Sequence, residues 1–186
     1  MTDRTFASKD EREIVRRAAA GDSHAFSQIY RTHLDRIYRY VYFRVGSVQE
    51  AEDLTETVFL SAWKAIGRYQ ERGTAFQAWL YRIASNLIID HHRARKETEH
   101  LEVVEEIPAE GGAGPEAWVA NAEDTEALRK GIQCLPEEGQ QVLLLRFVEG
   151  LSHAQVAEVL GKSEGACRAI QHRALAALRE NLNGRI

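Results

Sequence analysis

The chain has 186 residues, of which 28% are charged, and a formal net charge of −4. This length allows one large domain or two small ones, each able to bury a modest core. No apolar run approaches the roughly 20 residues that span a bilayer, and the first residues lack a signal peptide's apolar centre, so we expect a cytoplasmic protein without membrane insertion.

The net charge averages segments of opposite sign. Residues 97–126 hold ten acidic and no Lys or Arg side chains, a local charge of −10. Residues 64–96 hold seven basic and two acidic side chains, a local charge of +5, and residues 151–186 hold five basic and three acidic ones. An acidic spacer between basic ends fits a DNA-binding protein better than the mean charge suggests.

Two helices are predicted at the start of the chain. The first covers residues 8–20, and the second begins at Asp22 or Ser23, either of which can cap it, and ends before Gly46. The second helix carries an apolar stripe, which is more typical of a core than of a ligand site. The stripe consists of Ala25, Phe26, Ile29, Tyr30, Leu34, Ile37, Tyr38, Val41 and Tyr42.

A third helix is predicted over residues 48–66, opened by a capping box of Ser47 and Glu50. Helical periodicity indicates which of its side chains are buried and which exposed. The buried set is Ala51, Leu54, Val58, Ala62 and Ile66, and the exposed set is Glu52, Asp53, Glu56 and Lys64.

A glycine-bounded loop, residues 67–73, precedes a long helix that opens with a Thr74–Gln77 capping box and runs to about Arg95. The end of this helix is strongly basic. Its segment also contains the aromatic residues Tyr69, Phe76, Trp79 and Tyr81. Aromatic rings beside cations are typical of single-stranded nucleic-acid binding, and the alternative is that Phe76 and Trp79 only fill the core.

Residues 97–124 lose the helical period and contain two prolines and three glycines, which predicts a flexible acidic linker. This linker could compete with DNA for the basic faces of both domains. His91, His92 and His100 are better explained as solvated side chains than as metal ligands. Cys134 and Cys167 lack zinc-site spacing and are predicted to be buried free thiols.

The C-terminal part is also helical, with helices predicted over residues 125–133 and 137–148. The second is expected to supply core residues Val142, Leu143, Leu145 and Phe147. A helix-turn-helix follows over residues 151–178, in which Ser152 and Gln155 form a capping box, Gly161 makes the turn and Ser163 caps the last helix.

The last helix is expected to pack through Cys167, Ile170, Ala174 and Leu178. Its opposite face presents Arg168, Gln171, His172 and Arg173, which can bond bases or phosphates in a major groove. An ordinary helical hairpin within a bundle is the alternative. Every predicted element is helical, so the fold class is all-α, with two small helical domains joined by a flexible acidic linker.

Two sequence blocks resemble bacterial RNA polymerase sigma factors. The segment LPEEGQQVLLLRFVEGLSHAQVAEVLGKSEGACRAIQHRALAALRE resembles sigma region 4. AEDLTETVFLSAWKAI followed by FQAWLYRIASNLIIDHHRARK resembles sigma region 2. Their order, with only a short linker between them, resembles the extracytoplasmic-function (ECF) group of the sigma-70 family. The implied division is region 2 over residues 1–96, linker over 97–124 and region 4 over 125–186.

The resemblance implies a role for each domain. The third helix would dock on the clamp helices of the polymerase β′ subunit, through Asp53, Leu54, Glu56, Phe59, Leu60 and Trp63. The segment after it would melt and read the minus-10 element, its loop taking a flipped base, through Arg68, Tyr69, Phe76, Trp79, Arg82, Asn86, Arg93 and Arg95. The last helix would read the minus-35 element through Ser163, Glu164, Gly165, Arg168, Gln171, His172 and Arg173.

The resemblance also implies partners: core RNA polymerase (β′ clamp helices and β flap), promoter DNA and an anti-sigma factor. The chain departs from the family pattern at Glu56-Thr57 and at residues 166–170, where Ile170 fits a packed face, so promoter sequence does not transfer from better-known relatives. We expect a monomer when free. We also expect no cofactor and no catalytic activity, because no catalytic or metal-binding motif is present.

Two other functions remain open from the residues alone. An ordinary helix-turn-helix regulator would bind duplex operator DNA without polymerase, and its first domain would sense a ligand or dimerise. A helical adaptor protein would bind no DNA, and its basic faces would be incidental.

Overall fold

The computed structural model describes residues 6–70, 75–99 and 122–183, and within these ranges the regular secondary structure is helical throughout. The helices are α1 (Phe6–Ala19), α2 (Ser23–Val45), α3 (Val48–Ala65), α4 (Phe76–Glu99), α5 (Ala122–Gln133), α6 (Glu137–Leu143), α7 (His153–Leu160) and α8 (Glu164–Asn183). A 3₁₀ turn, Ile66–Arg68, extends α3, and a π-helical turn, Leu144–Val148, extends α6. The all-α prediction is confirmed.

The ends of α2 follow from local chemistry. Asp22 caps α2 by accepting a hydrogen bond from the Ala25 N–H at 3.1 Å. Gly46 ends it with a φ of 81°, a left-handed conformation that glycine adopts without steric cost. These two residues fix the turns before and after the second helix of the first domain.

Only half of the predicted capping box at the start of α3 is present. The Ser47 hydroxyl accepts from the Glu50 N–H at 3.4 Å. The Glu50 carboxylate, however, lies 3.6 Å from both His91 and Arg95 on α4. A tertiary partner has therefore replaced the local one. The predicted box of Thr74 and Gln77 includes a residue outside the described ranges.

Helices α1–α4 form the first domain, in which α2 packs against the other three. The core contains large side chains that are almost fully buried: Ile37, Tyr40, Val41, Val58, Leu80, Tyr81 and Ile88. The predicted inward face of α3 is confirmed at Ala51, Val58, Ala62 and Ile66, whereas Leu54 is only half-buried.

Helices α5–α8 form the second domain, where α8 packs against α5, α6 and α7. The π-helical turn was not predicted from the sequence, and with it the predicted burial of one residue, Phe147, proves wrong. The Glu149 N–H bonds the Leu144 carbonyl at 3.0 Å, five residues back, which shifts the facing of the side chains. Leu144 and Leu145 are buried as a result, whereas Phe147, predicted to be core, is 58% exposed.

The two cysteines differ. Cys167 is buried between α8 and its neighbours, as predicted, and burial raises the pKa of its thiol. Cys134 is exposed, so the prediction of two buried thiols is wrong for that residue. It lies in the turn just after α5, where the chain leaves the helix before the buried Leu135.

The two domains pack directly against each other, which the sequence did not predict. Helix α7 lies against α4, and α5 and the π-helical turn lie against α2. Buried apolar residues of both domains form one continuous cluster. Residues 97–99 extend α4 and residues 122–124 begin α5, so the predicted linker is helical at both ends, and residues 100–121 lie outside the described ranges.

The described helices include none with the length and apolar character needed to cross a membrane.

Candidate polymerase and DNA interfaces

An apolar groove runs along the outer side of α2 and α3. Phe26 and Trp63 pack with ring centroids 4.9 Å apart, and Tyr30 and Phe59 pack at 4.8 Å. Large apolar side chains remain exposed there: Tyr30 is 40%, Leu60 50% and Trp63 39% exposed. Exposed aromatic and aliphatic side chains grouped on one face are typical of a protein-binding surface.

The groove encloses a cavity of about 310 Å³. Its lining consists of Ser23, Phe26, Ser27, Tyr30, Glu56, Phe59, Leu60 and Trp63. Four of the six predicted polymerase contacts therefore lie in one groove, with Phe59, only 4% exposed, as its floor. Asp53 is exposed outside this lining, and Leu54 packs against the core.

Half of this groove comes from α2, and that half was not predicted from the sequence. Phe26 and Tyr30 belong to the predicted core stripe because they follow the helical period of buried residues. Their spacing of four residues also places them on one face beside α3, where they face Trp63 and Phe59.

A second cluster combines aromatic and cationic side chains at the start of α4. Tyr69, Phe76 and Trp79 pack together with ring centroids 5.2–5.4 Å apart. The 3₁₀ turn delivers Tyr69, and the first turn of α4 supplies the other two rings. Phe76 is buried, whereas Tyr69 and Trp79 are half-buried, so the cluster both fills the core and presents ring surface.

A cavity of about 270 Å³ opens beside these rings. Its lining consists of Arg68, Tyr69, Gln70, Ala78, Trp79, Arg82 and, from α7, Glu158. Stacking rings flanked by guanidinium groups are the combination that single-stranded nucleic acid requires. Residues 71–74 of the predicted base-binding loop lie outside the described ranges.

The remaining predicted minus-10 residues divide between two faces of α4. Arg82, Asn86 and Arg93 are exposed and, at spacings of four and seven residues, share one face. Arg93 lies 3.9 Å from Asp90. Arg95 is on another face and lies 3.6 Å from Glu50 of α3, so the structure does not bring it together with the others.

The helix-turn-helix forms as predicted. The Ser152 hydroxyl accepts from the Gln155 N–H at 3.2 Å, and the Gln155 side chain accepts from the Ser152 N–H at 2.8 Å. Gly161 makes the turn with a φ of 64°. Ser163 then caps α8 by accepting from the Ala166 N–H at 3.2 Å.

Helix α8 packs through Cys167, Ile170 and Ala174, which are at most 7% exposed. The predicted minus-35 residues lie on its other side. Ser163, Glu164, Gly165, Arg168, His172 and Arg173 are exposed. Gln171 is half-buried and its side-chain oxygen lies 2.9 Å from His153 of α7, which leaves its amide NH₂ as the group able to reach a base.

No cluster of three His, Cys, Asp or Glu side chains suited to a metal ion occurs among the described residues. The rings of His91 and His92 lie 5.9 Å apart at an angle of 61°, and His91 faces Glu50. Burial, together with the charge of Arg44, lowers the pKa of His92. His100 lies outside the described residues.

The geometry defines a class: a two-domain, all-helical protein with a helix-turn-helix, an exposed apolar groove on α2 and α3, and an aromatic and cationic cluster at the start of α4. Family models agree with this class. Residues 29–98 match sigma-70 region 2, and residues 131–180 match sigma-70 region 4.

Curated relatives make the assignment more specific. The chain is 40% identical over 167 residues to the ECF RNA polymerase sigma factor BldN of Streptomyces coelicolor, covering 89% of this chain and 63% of BldN. It is 34% identical over 175 residues to the ECF sigma factor SigD of Mycobacterium tuberculosis, covering 91% of this chain and 82% of SigD. The chain therefore belongs to the ECF group of RNA polymerase sigma factors.

The fold is also that of a solved sigma factor. The Bartonella quintana protein RpoE, crystallised with the anti-sigma factor NepR, matches with a TM-score of 0.73 at 21% identity, covering 85% of this chain and 96% of that one.

Proposed function

We propose that this protein is a dissociable transcription initiation factor that binds core RNA polymerase through the groove of α2 and α3. The observation that carries the proposal is the exposure of Leu60 and Trp63 beside the carboxylate of Glu56 on one helix. Exposed apolar anchors with an acidic rim suit a basic helical partner, which is the expected character of the β′ clamp helices. Such a partner implies action in the cytoplasm.

The promoter would be read by two surfaces. The aromatic and cationic cluster around Trp79 and Arg82 is suited to capture unstacked bases of the minus-10 element. Opening base pairs costs a few kcal/mol of lost stacking and pairing, and ring stacking with phosphate contacts offsets that cost without ATP. The exposed face of α8, centred on Arg168 and His172, would enter the major groove of the minus-35 element.

We propose that an anti-sigma factor controls this activity, and that the polymerase β flap contacts the second domain. The Bartonella sigma factor of the same fold was crystallised with an anti-sigma factor, which supports a comparable partner here. A protein encoded beside this chain that binds it and prevents polymerase association would support the proposal. Constitutive transcription in cells, with both DNA surfaces available, would contradict it.

Footprinting on the DNA upstream of the protein's own coding region tests the main proposal. Core polymerase with this protein should protect two elements and render bases at the downstream element reactive to single-strand probes. Neither component alone should do so. Protection of duplex DNA by the protein alone would contradict the proposal and favour an ordinary helix-turn-helix regulator.

A further inference from the structure

The boundary between the domains is organised around a buried carboxylate. Glu149, just after the π-helical turn, has a fully buried side chain. All of its described charged and hydroxyl partners belong to the first domain. Arg39 donates to both carboxylate oxygens, at 3.0 and 3.2 Å, and the Tyr81 hydroxyl donates at 2.5 Å. Arg36 lies 3.5 Å from the carboxylate and donates to the Glu149 backbone carbonyl at 2.8 Å.

Tyr81 is suited to this position because it is a hydrogen-bond donor with little access to water. Burial, reinforced by the charge of Glu149, raises the pKa of the Tyr81 hydroxyl well above its usual value. The hydroxyl therefore stays protonated and donates to the carboxylate.

Two further contacts lie along the same boundary. Arg44 of α2, with a side chain only 1% exposed, pairs with Glu137 of α6 at 3.1 Å. The guanidinium of Arg129 lies over the ring of Tyr42, 5.7 Å from its centroid. In both pairs one partner comes from α2 and the other from the second domain, so polar contacts extend along α2 beyond Glu149.

The packing of the two domains covers part of the proposed minus-10 surface, which is the aromatic and cationic cluster around Tyr69, Trp79 and Arg82. Helix α7 lies against α4, and its Glu158 lines the same cavity as Trp79 and Arg82. A carboxylate thus lies where a DNA phosphate or base would have to approach. The packing of α7 brings negative charge to a groove that is suited to bind a polyanion.

The closed arrangement is also too compact for a two-part promoter. Elements near positions −10 and −35 are separated by about 25 base pairs, or about 85 Å at about 3.4 Å per base pair. A compact chain of this length has a radius of gyration of about 16 Å and is roughly 40 Å across. The DNA-reading faces of α4 and α8 cannot reach both elements while α7 remains packed on α4.

We propose that Glu149, held by Arg36, Arg39 and Tyr81, is a latch that keeps the free protein closed and its minus-10 surface covered until polymerase separates the domains. This inference rests on the proposed function for its biological meaning, but the closed state itself is a property of the free chain. A buried ion pair suits such a switch because its attraction is largely offset by desolvation, so hydration of the separated charges helps a competing partner to open it.

Fluorescence energy transfer in the full-length free protein tests the latch. Cys134→Ser removes the exposed native thiol, and Glu52→Cys on α3 and Ala169→Cys on α8 supply exposed labelling sites, one in each domain. The parent should show high transfer efficiency. Glu149→Gln should shift the ratio of closed to open molecules at least about tenfold toward open, because the neutral amide removes the negative charge that both Arg36 and Arg39 contact at the boundary.

Glu138→Gln is the matched control. Glu138 is an acidic residue of the same domain, on α6, but it pairs with Lys162 of its own domain at 2.7 Å, so its neutralisation should leave the transfer efficiency at the parent value. Tyr81→Phe and Arg39→Met each remove a first-domain hydrogen-bond partner of Glu149 and should also lower the transfer efficiency. They keep the test decisive if Glu149→Gln unfolds the second domain, which circular dichroism would detect.

Low transfer in the parent, or parent-like transfer in folded Tyr81→Phe and Arg39→Met variants, would overturn the latch. Adding core polymerase should lower the parent's transfer, and a polymerase complex with unchanged high transfer would overturn it as well. If the latch variants show lower transfer efficiency but the protein never binds polymerase, only the proposed function is refuted.

Discussion

Trp63 offers the most quantitative test of the polymerase-binding groove. A tryptophan side chain presents about 250 Å², and Trp63 is 39% exposed in the free protein. Docking can therefore bury roughly 100 Å² more, which is about 2.5 kcal/mol at about 25 cal/mol/Å². Trp63→Ala should weaken binding to core polymerase about 60-fold. By the same measure, the roughly 150 Å² that Trp63 already buries in the free protein stabilises the fold by about 4 kcal/mol, so circular dichroism must first show that the variant is folded.

Fluorescence anisotropy of the labelled protein, titrated with core polymerase, would measure this change in affinity. Lys64→Ala is the matched control: it is the adjacent residue, exposed and outside the groove lining, and its effect should stay within about 0.5 kcal/mol. A loss below about threefold for Trp63→Ala in folded protein, or an equal loss for Lys64→Ala, would refute the assignment of the groove.

Three further predictions address stability, pH and promoter choice. Ser152→Ala removes the capping box of α7 and should lower the free energy of unfolding by about 1 kcal/mol in urea titrations, with unchanged stability as the contradicting result. Burial beside Arg44 lowers the pKa of His92 below 6.5, so the unfolded chain takes up the proton first as pH falls. The stability contributed by neutral His92 is thus complete above pH 6.5 and declines below it. In the His92→Gln variant, the urea midpoint should change less between about pH 7 and 5 than it does in the parent. An equally large change with pH in the variant would contradict this reasoning. Arg168→Ala should cost about 1–3 kcal/mol on the native minus-35 element and relax its sequence preference in holoenzyme binding, whereas equal losses on all sequences would indicate a phosphate contact.

Local signals in the sequence predicted most of the helix boundaries. Asp22, Ser152, Gly161 and Ser163 each act within three or four residues of themselves, through caps or a left-handed turn. Such interactions depend little on the rest of the chain, so a sequence pattern is sufficient to infer them. The packed face of α8 was predictable for the same reason, from helical periodicity.

The groove shows where local patterns become insufficient. The exposed side chains of α3 were predictable, but Phe26 and Tyr30 have the spacing of ordinary core positions, because periodicity does not distinguish a buried face from one left open beside a neighbouring helix. The prediction for Phe147 was also wrong: it was expected in the core, but one extra residue in the π-helical turn places it at the surface.

Glu149 carried no local signal. In the sequence it is an acidic residue before a glycine, a pattern typical of an exposed turn. Its partners Arg36, Arg39 and Tyr81 lie between 68 and 113 residues away, so only the packing of the two domains brings them together. The predicted tether indicated independent domains, whereas complementary charge and a shared apolar cluster join them.

Run-off transcription with purified core polymerase tests the central claim most directly. On the DNA upstream of its own coding region, the protein should produce a transcript from one defined start. Trp63→Ala should abolish or greatly reduce that transcript at limiting protein, and Lys64→Ala should not. Absence of a polymerase-dependent start, together with duplex binding by the protein alone, would contradict the account of this chain as an initiation factor.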